Sequence, residues 1–189
     1  MLTDPDRRYL LELARETISQ GLAGRDLPAV NLDALSPNLR QPGASFVTLT
    51  LGGGLRGCIG SIEPHRPLAL DVQENALGAA FRDPRFPPLS QGELARVRIE
   101  VSVLTPPQPF PYRDGADLLA RLRPLVDGVI VERGWHRATF LPQVWEKLPQ
   151  PREFVGQLCL KAGLAADDYQ RPGLQVSTYQ VEKFEEEIT

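Results

Sequence analysis

The chain has 189 residues, 42% of them hydrophobic, with 24 acidic and 21 basic side chains and a net charge of −3. That is enough apolar material to bury a core, which argues against disorder, and the mixed charge lacks the polybasic run of a nucleic-acid-binding surface. The N-terminus lacks the basic-then-apolar order of a signal peptide, and no apolar run approaches the ~20 residues of a bilayer-spanning helix, so the expectation is a cytoplasmic protein with no membrane partner.

The first element is a helix, with Asp4 as N-cap and Pro5 at the first helical position, because Leu10, Leu13, Ala14, Thr17 and Ile18 recur on one face; it should end near Gly21. Residues 22–44 carry no sustained period and read as an extended connection with one short turn. Residues 46–51 alternate, Val47, Leu49 and Leu51 on one side and Thr48 and Thr50 on the other, as a half-buried strand does. Gly52, Gly53 and Gly54 then turn the chain into an antiparallel partner over residues 55–63. Period two places Leu55 and Ile59 on one face, Arg56 and Cys58 on the other.

Pro67 opens a second helix whose Ala69, Val72, Ala76, Ala79 and Ala80 form a stripe of mostly small residues, stopping by Asp83-Pro84. Residues 97–104 give the cleanest strand, with Ile99, Val101 and Val103 against Arg98, Glu100 and Ser102. Four prolines between Thr105 and Pro111 mark a lobe boundary, since such a segment cannot lie inside a helix or a central strand. Beyond it come a short helix over 117–123, strands over 128–132 and 137–140 around Gly134, and helices over 142–148 and 152–162. Residues 174–184 form the last strand, whose apolar phase shifts from even to odd positions and predicts a bulge near Ser177. A strand that long should rejoin the first sheet. The expected division is therefore a larger subdomain of residues 1–109 and 172–189 and a smaller inserted one of 110–171.

Three strands of the larger lobe share one apolar face and one face of polar or small groups. An inserted lobe lying over the polar face would create a cleft lined by Arg56, Cys58 and Glu100. A register slip of one residue would invert that placement.

Phe46-Val47-Thr48-Leu49 followed by Leu55-Arg56-Gly57-Cys58-Ile59-Gly60 resembles the signature of the AMME-syndrome candidate-gene family, called AmmeMemoRadiSam system protein A in prokaryotes. The match continues through Asn75-Ala76, Ala79-Ala80-Phe81, Asp83-Pro84-Arg85-Phe86, Ile99-Glu100-Val101-Ser102-Val103-Leu104, Arg137-Ala138-Thr139-Phe140-Leu141-Pro142 and Lys161-Ala162-Gly163-Leu164. The resemblance implies an α/β (α+β) protein of two subdomains, each a mainly antiparallel sheet with helices, separated by a cleft that the six-residue motif faces. It also implies a functional link to a Memo-like protein and a radical SAM protein. It supplies no mechanism.

The candidate catalytic residues are Cys58, whose thiol would gain thiolate character beside Arg56, and Glu100, which could orient a base or bind substrate. The other reading of Cys58 is a small packing residue between glycines. Cys159 lies with Val155, Leu158 and Ala162 on a helical face and reads as core. Candidate ligand- or partner-binding residues are Arg56, Gly57, Gly60, Asn75 and Arg85. Arg56 either pairs with an acid such as Glu100 or binds an anion. Arg85 lies at a cleft rim or bridges a carboxylate in a helix-ending turn, and Asn75 hydrogen-bonds a loop or contacts ligand. No metal site is expected, because Cys58 and His65 match no standard zinc spacing. No cofactor is expected either. The leading reading is a binding protein for a peptide, protein or small anionic ligand; the alternative is a stand-alone enzyme using Cys58 as nucleophile or redox thiol.

Overall fold

The computed structural model describes residues 2–187. Helix α1, Asp4–Leu22, begins one residue earlier than expected. Thr3 is its N-cap, and a capping box forms in which Asp6 N–H donates to Thr3 Oγ1 and Thr3 N–H donates to the Asp6 carboxylate. Burial pushes the Asp6 carboxyl up, but hydrogen bonds from Asn38, Ser36 and Thr3 outweigh it and hold it at about 2. Those bonds also tie α1 to the stretch read as irregular, which contains a 3₁₀ turn at Leu32–Ala34 and a helical turn α2, Pro37–Arg40.

Strand β1, Pro42–Leu51, pairs antiparallel with β2, Gly54–Gly60, through a turn in which Gly52 and Gly53 take positive φ. A two-residue strand β3, Arg66–Pro67, leads into helix α3, Leu68–Leu77, and a π-helical turn, Gly78–Arg82. Strand β4, Val97–Leu104, pairs antiparallel with residues 44–51 of β1, while Pro42 and Gly43 pair with β3. The remaining elements are β5, Gln108–Pro109; α4, Gly115–Arg121; β6, Gly128–Arg133; β7, His136–Phe140; α5, Pro151–Lys161; β8, Gln175–Tyr179; and β9, Val181–Glu185. The expected helix at 142–148 is a 3₁₀ segment, Pro142–Glu146. No helix among the described residues is long and apolar enough to cross a membrane.

The chain divides into two units, the first running up to Thr105 and resuming at Glu182, the second spanning Pro106–Val181. In the first, the sheet order is β2-β1-β4-β9 with β3 beside β1, and α1 and α3 cover one face. The alternation read from sequence is what builds that core: Val47, Leu49, Ile99 and Val101 are fully buried against Leu10, Ile18 and Val72. In the second, the antiparallel order is β5-β8-β6-β7, and Trp145 stacks on Phe154 with ring centroids 3.6 Å apart in a core shared with Leu118, Leu158 and Cys159.

The expected single last strand is two strands. Gln175–Tyr179 pairs with β5 and β6 in the second sheet, the chain breaks at Gln180, and Val181–Glu185 joins β4 in the first. The shift of apolar phase marks a change of sheet, not a bulge, because each half buries its side chains in a different core. The return therefore falls at Glu182 instead of near 172.

Candidate functional site

The face of the first sheet away from its helices carries cross-strand rows. Cys58 on β2 lies opposite Thr48 on β1, and Thr48 lies opposite Glu100 on β4. The Thr48 hydroxyl donates to Cys58 Sγ at 3.3 Å, Ser102 Oγ donates to Glu100 at 3.4 Å, and Lys183 Nζ stands 3.6 Å from Glu100. Cys58 and Glu100 thus share the row that parity assigned, separated by a threonine.

Arg56 departs from the parity reading. Thr50 opposes Leu55 and Leu49 opposes Gly57, so Arg56 is the extra residue of a β-bulge and strict alternation fails at that position. Its guanidinium enters the loop between the π-helical turn and β4: Nε donates to Glu93 Oε1 at 2.7 Å, and Nη2 donates to Glu93 Oε2 at 3.2 Å and Pro88 O at 3.3 Å. The acid that pairs with Arg56 is Glu93, not Glu100. The Arg56 hydrogen bond, reinforced by the Ser90 N–H and hydroxyl, lowers the Glu93 carboxyl to about 2. Arg56 is 8% exposed, and its Nη1 is buried with no hydrogen-bond partner.

Strand β2 is an edge, so the Cys58 backbone groups that turn away from β1 need other partners. Asp83 and Arg85 supply them: Cys58 N–H donates to Asp83 Oδ2 at 2.8 Å, and Arg85 Nη2 donates to Cys58 O at 3.3 Å. Arg85 also closes on Asp83 through its backbone N–H, Nε and Nη2. The Arg85 hydrogen bond is the main cause holding the buried Asp83 carboxyl far below the usual carboxylate range, against the opposing effect of burial. Arg85 therefore bridges a carboxylate while its side chain stays 53% exposed. The Arg56 and Arg85 guanidinium carbons stand 6.0 and 5.5 Å from the centroid of one ring, Phe86, which gathers both arginines and the Cys58 backbone into one corner.

The other candidates have partners within the fold. A Cβ on Gly57 would stand 2.1 Å from Ala79 O, and one on Gly60 would stand 2.3 Å from the Phe46 ring. Asn75 is buried and donates to Ser45 O, Ser45 Oγ and Asp71 Oδ2, so its partner is strand β1 rather than a loop. Asp71 also accepts from Ser45 N–H, Ser45 Oγ and Ser61 Oγ, pinning α3 to β1 and to the residue after β2. His65 lies 3.2 Å from Glu63, and His136 Nδ1 lies 3.0 Å from Ala162 O in the second unit. Among the described residues no group of three or more His, Cys, Asp and Glu side chains is arranged to hold a metal ion.

Sequence reasoning missed Glu93, Phe86 and the role of Asp83. One signal was present: Ser90 and Glu93 have the Ser-x-x-Glu spacing of a capping box, and here Glu93 turns back onto Ser90 while facing Arg56.

The chain is similar to known proteins over nearly its whole length. The chain is 42% identical over 194 residues to a protein of Methanothermobacter thermautotrophicus, covering 98% of this chain and 97% of that one. It is 38% identical over 189 residues to a protein of Methanosarcina barkeri, covering 98% and 93%. The crystal structure of an uncharacterized protein from Pyrococcus horikoshii superposes with a TM-score of 0.79 at 33% identity, covering 98% of this chain and 94% of that one. The AMMECR1 family model matches residues 11–184, taking in the bulged β2 motif, its edge cap and both sheets, and the chain belongs to the AMMECR1 family.

Proposed function

We propose that the protein is a binding component whose corner formed by Arg56, Phe86, Arg85 and Cys58 receives an anionic oxygen of a peptide, protein or small molecule. It acts in the cytoplasm with a Memo-like protein and a radical SAM protein in a modification pathway. The observation that carries this reading is the buried, unpartnered Nη1 of Arg56. A buried donor without an acceptor costs about 1–3 kcal/mol, and a ligand oxygen placed there recovers that cost and adds a charge-assisted bond. Glu93 and Asp83 already hold the two guanidiniums in place, so little side-chain entropy is lost when the ligand arrives. Because those carboxylates also balance the charge, recognition rests on directed hydrogen bonds more than on a net positive field. Cys58 accepts a hydrogen bond from a threonine hydroxyl, a contact that suits a wall of the site.

Purification from the native host followed by mass spectrometry of bound small molecules and proteins tests the proposal. Wild type and Cys58→Ser retain the same species. Arg56→Lys, which keeps a charge for Glu93 but deletes the free Nη1 donor, loses it. Loss with Cys58→Ser and retention with Arg56→Lys would favour a thiol-dependent enzyme instead.

A further inference from the structure

The loop that brings Glu93 to Arg56 carries an exposed hydroxyl at the ion pair itself. Ser90 Oγ and Ser90 N–H both donate to Glu93 Oε2, each at 2.8 Å, and the same oxygen accepts from Arg56 Nη2 at 3.2 Å. We propose that Ser90 is a phosphorylation site whose phosphate takes the place of Glu93 on Arg56 and closes the corner to other anions. The regulatory half of this statement rests on the corner being the ligand site; the exchange of partners does not.

The first argument is the match of donors to acceptors. Glu93 meets Arg56 Nε with Oε1 and Nη2 with Oε2, and a carboxylate then has no further oxygen, so the buried Nη1 has no partner. A phosphoserine presents three acceptor oxygens and a charge of about −1.5 to −2 near neutral pH. It can therefore satisfy the nitrogens Glu93 holds and the one it leaves. Those oxygens lie one phosphorus away from Oγ, so one of them falls close to where Glu93 Oε2 stands, 2.8 Å from Oγ, with the backbone in place.

The second argument is that the modification also undoes the present pairing. Esterified Oγ has no proton to donate to Glu93, and a dianion beside a carboxylate repels it. The Glu93 side chain, 23% exposed, has solvent to turn into. Ser90 itself stays where it is, because the preceding Leu89 is buried and its N–H donates to Ala80 O at 2.8 Å. Residues 87–90 lie in neither helix nor strand, which leaves the Ser90 hydroxyl open to a modifying enzyme. The transfer uses a protein kinase and a nucleoside triphosphate: Ser90 Oγ attacks the γ-phosphorus, the bond to the departing nucleoside diphosphate breaks, and the Oγ proton passes to the kinase base.

Two measurements test the proposal. Mass spectrometry of the Ser90 peptide, from chain purified out of its native host, should show a phosphorylated fraction. In the full chain made with phosphoserine at position 90, the ³¹P resonance should titrate about one unit or more below the ordinary second pKa of about 6, because Arg56 favours the dianion, and Arg56→Gln should return it to that value. Glu93→Gln, which removes the displaced carboxylate and keeps Arg56, should hold the phosphate at the lowered value, a readout that stands even if Arg56→Gln does not fold. The proposal is overturned by a Ser90 peptide that is unmodified at every growth stage, or by a phosphate that titrates near the ordinary value both with Glu93 and with Glu93→Gln. Neither result bears on Arg56→Lys and the co-purified ligand, which test the ligand site itself.

Discussion

Replacing Asp83 with alanine removes the acceptor that closes the free edge of β2. Cys58 N–H loses its 2.8 Å bond, and Arg85 loses the carboxylate that aims Nη2 at Cys58 O. The stranded amide costs about 1–3 kcal/mol. The exposed side of the Arg85 pair adds at most about 1 kcal/mol, because solvent screens it. The sum is about 1–4 kcal/mol, or roughly 2–16 °C in Tm at this chain length. Hydrogen exchange read on the peptide containing residues 54–60 is the local assay, with far-UV circular dichroism for the melt. Both tryptophans, Trp135 and Trp145, lie in the second unit, so their fluorescence is the wrong probe. Asp83→Asn, which keeps an acceptor but no charge, should fall between wild type and alanine. An alanine variant that melts within a degree of wild type and exchanges the Cys58 amide no faster would refute the edge-cap reasoning.

Further outcomes follow from the same contacts. Gly57→Ala pushes a Cβ into the Ala79 carbonyl, a backbone atom that cannot swing away, and should cost about 2–4 kcal/mol in a urea melt. Asp71→Ala strands the donors of Ser45, Ser61 and Asn75 in a buried site and should cost about 3–5 kcal/mol, with α3 exchanging faster. Acid should destabilise the first unit. Asp6, Asp83 and Glu93 all have folded values below their unfolded ones, so their stabilisation is complete above about pH 4.5 and is lost as pH falls towards the folded values, about 2 for Asp6 and Glu93. A Tm flat from pH 5 to pH 2.5 would contradict that assignment.

The parts of the fold that were legible are those where one side-chain period runs unbroken. Val47, Leu49, Ile99 and Val101 alternate over full strands, and Leu10, Leu13, Ala14 and Ile18 recur on one helical face, so each element announces its buried side. Local rules failed where a distant partner decided the outcome. Glu93 is 37 residues from Arg56 and sits in a loop with no period to read. The bulge that turns Arg56 towards it is a property of the β1–β2 pairing and is written in neither strand alone. Asp83-Pro84-Arg85-Phe86 reads as a helix-ending turn and is one; its second task, satisfying an edge strand, follows from β2 being outermost, which depends on the sheet order. The last strand was misread for a related reason: its change of phase was visible, but a bulge and a change of sheet leave the same trace along the chain.

The Arg56 corner is tested most directly by calorimetric titration of the ligand recovered from the native host against wild type and Arg56→Lys. If a ligand oxygen meets Nη1, lysine should weaken binding about ten- to a hundredfold, the worth of one charge-assisted hydrogen bond, over and above the lower melting point that loss of the Glu93 fork causes with no ligand present. Equal affinity in the two proteins would contradict the assignment.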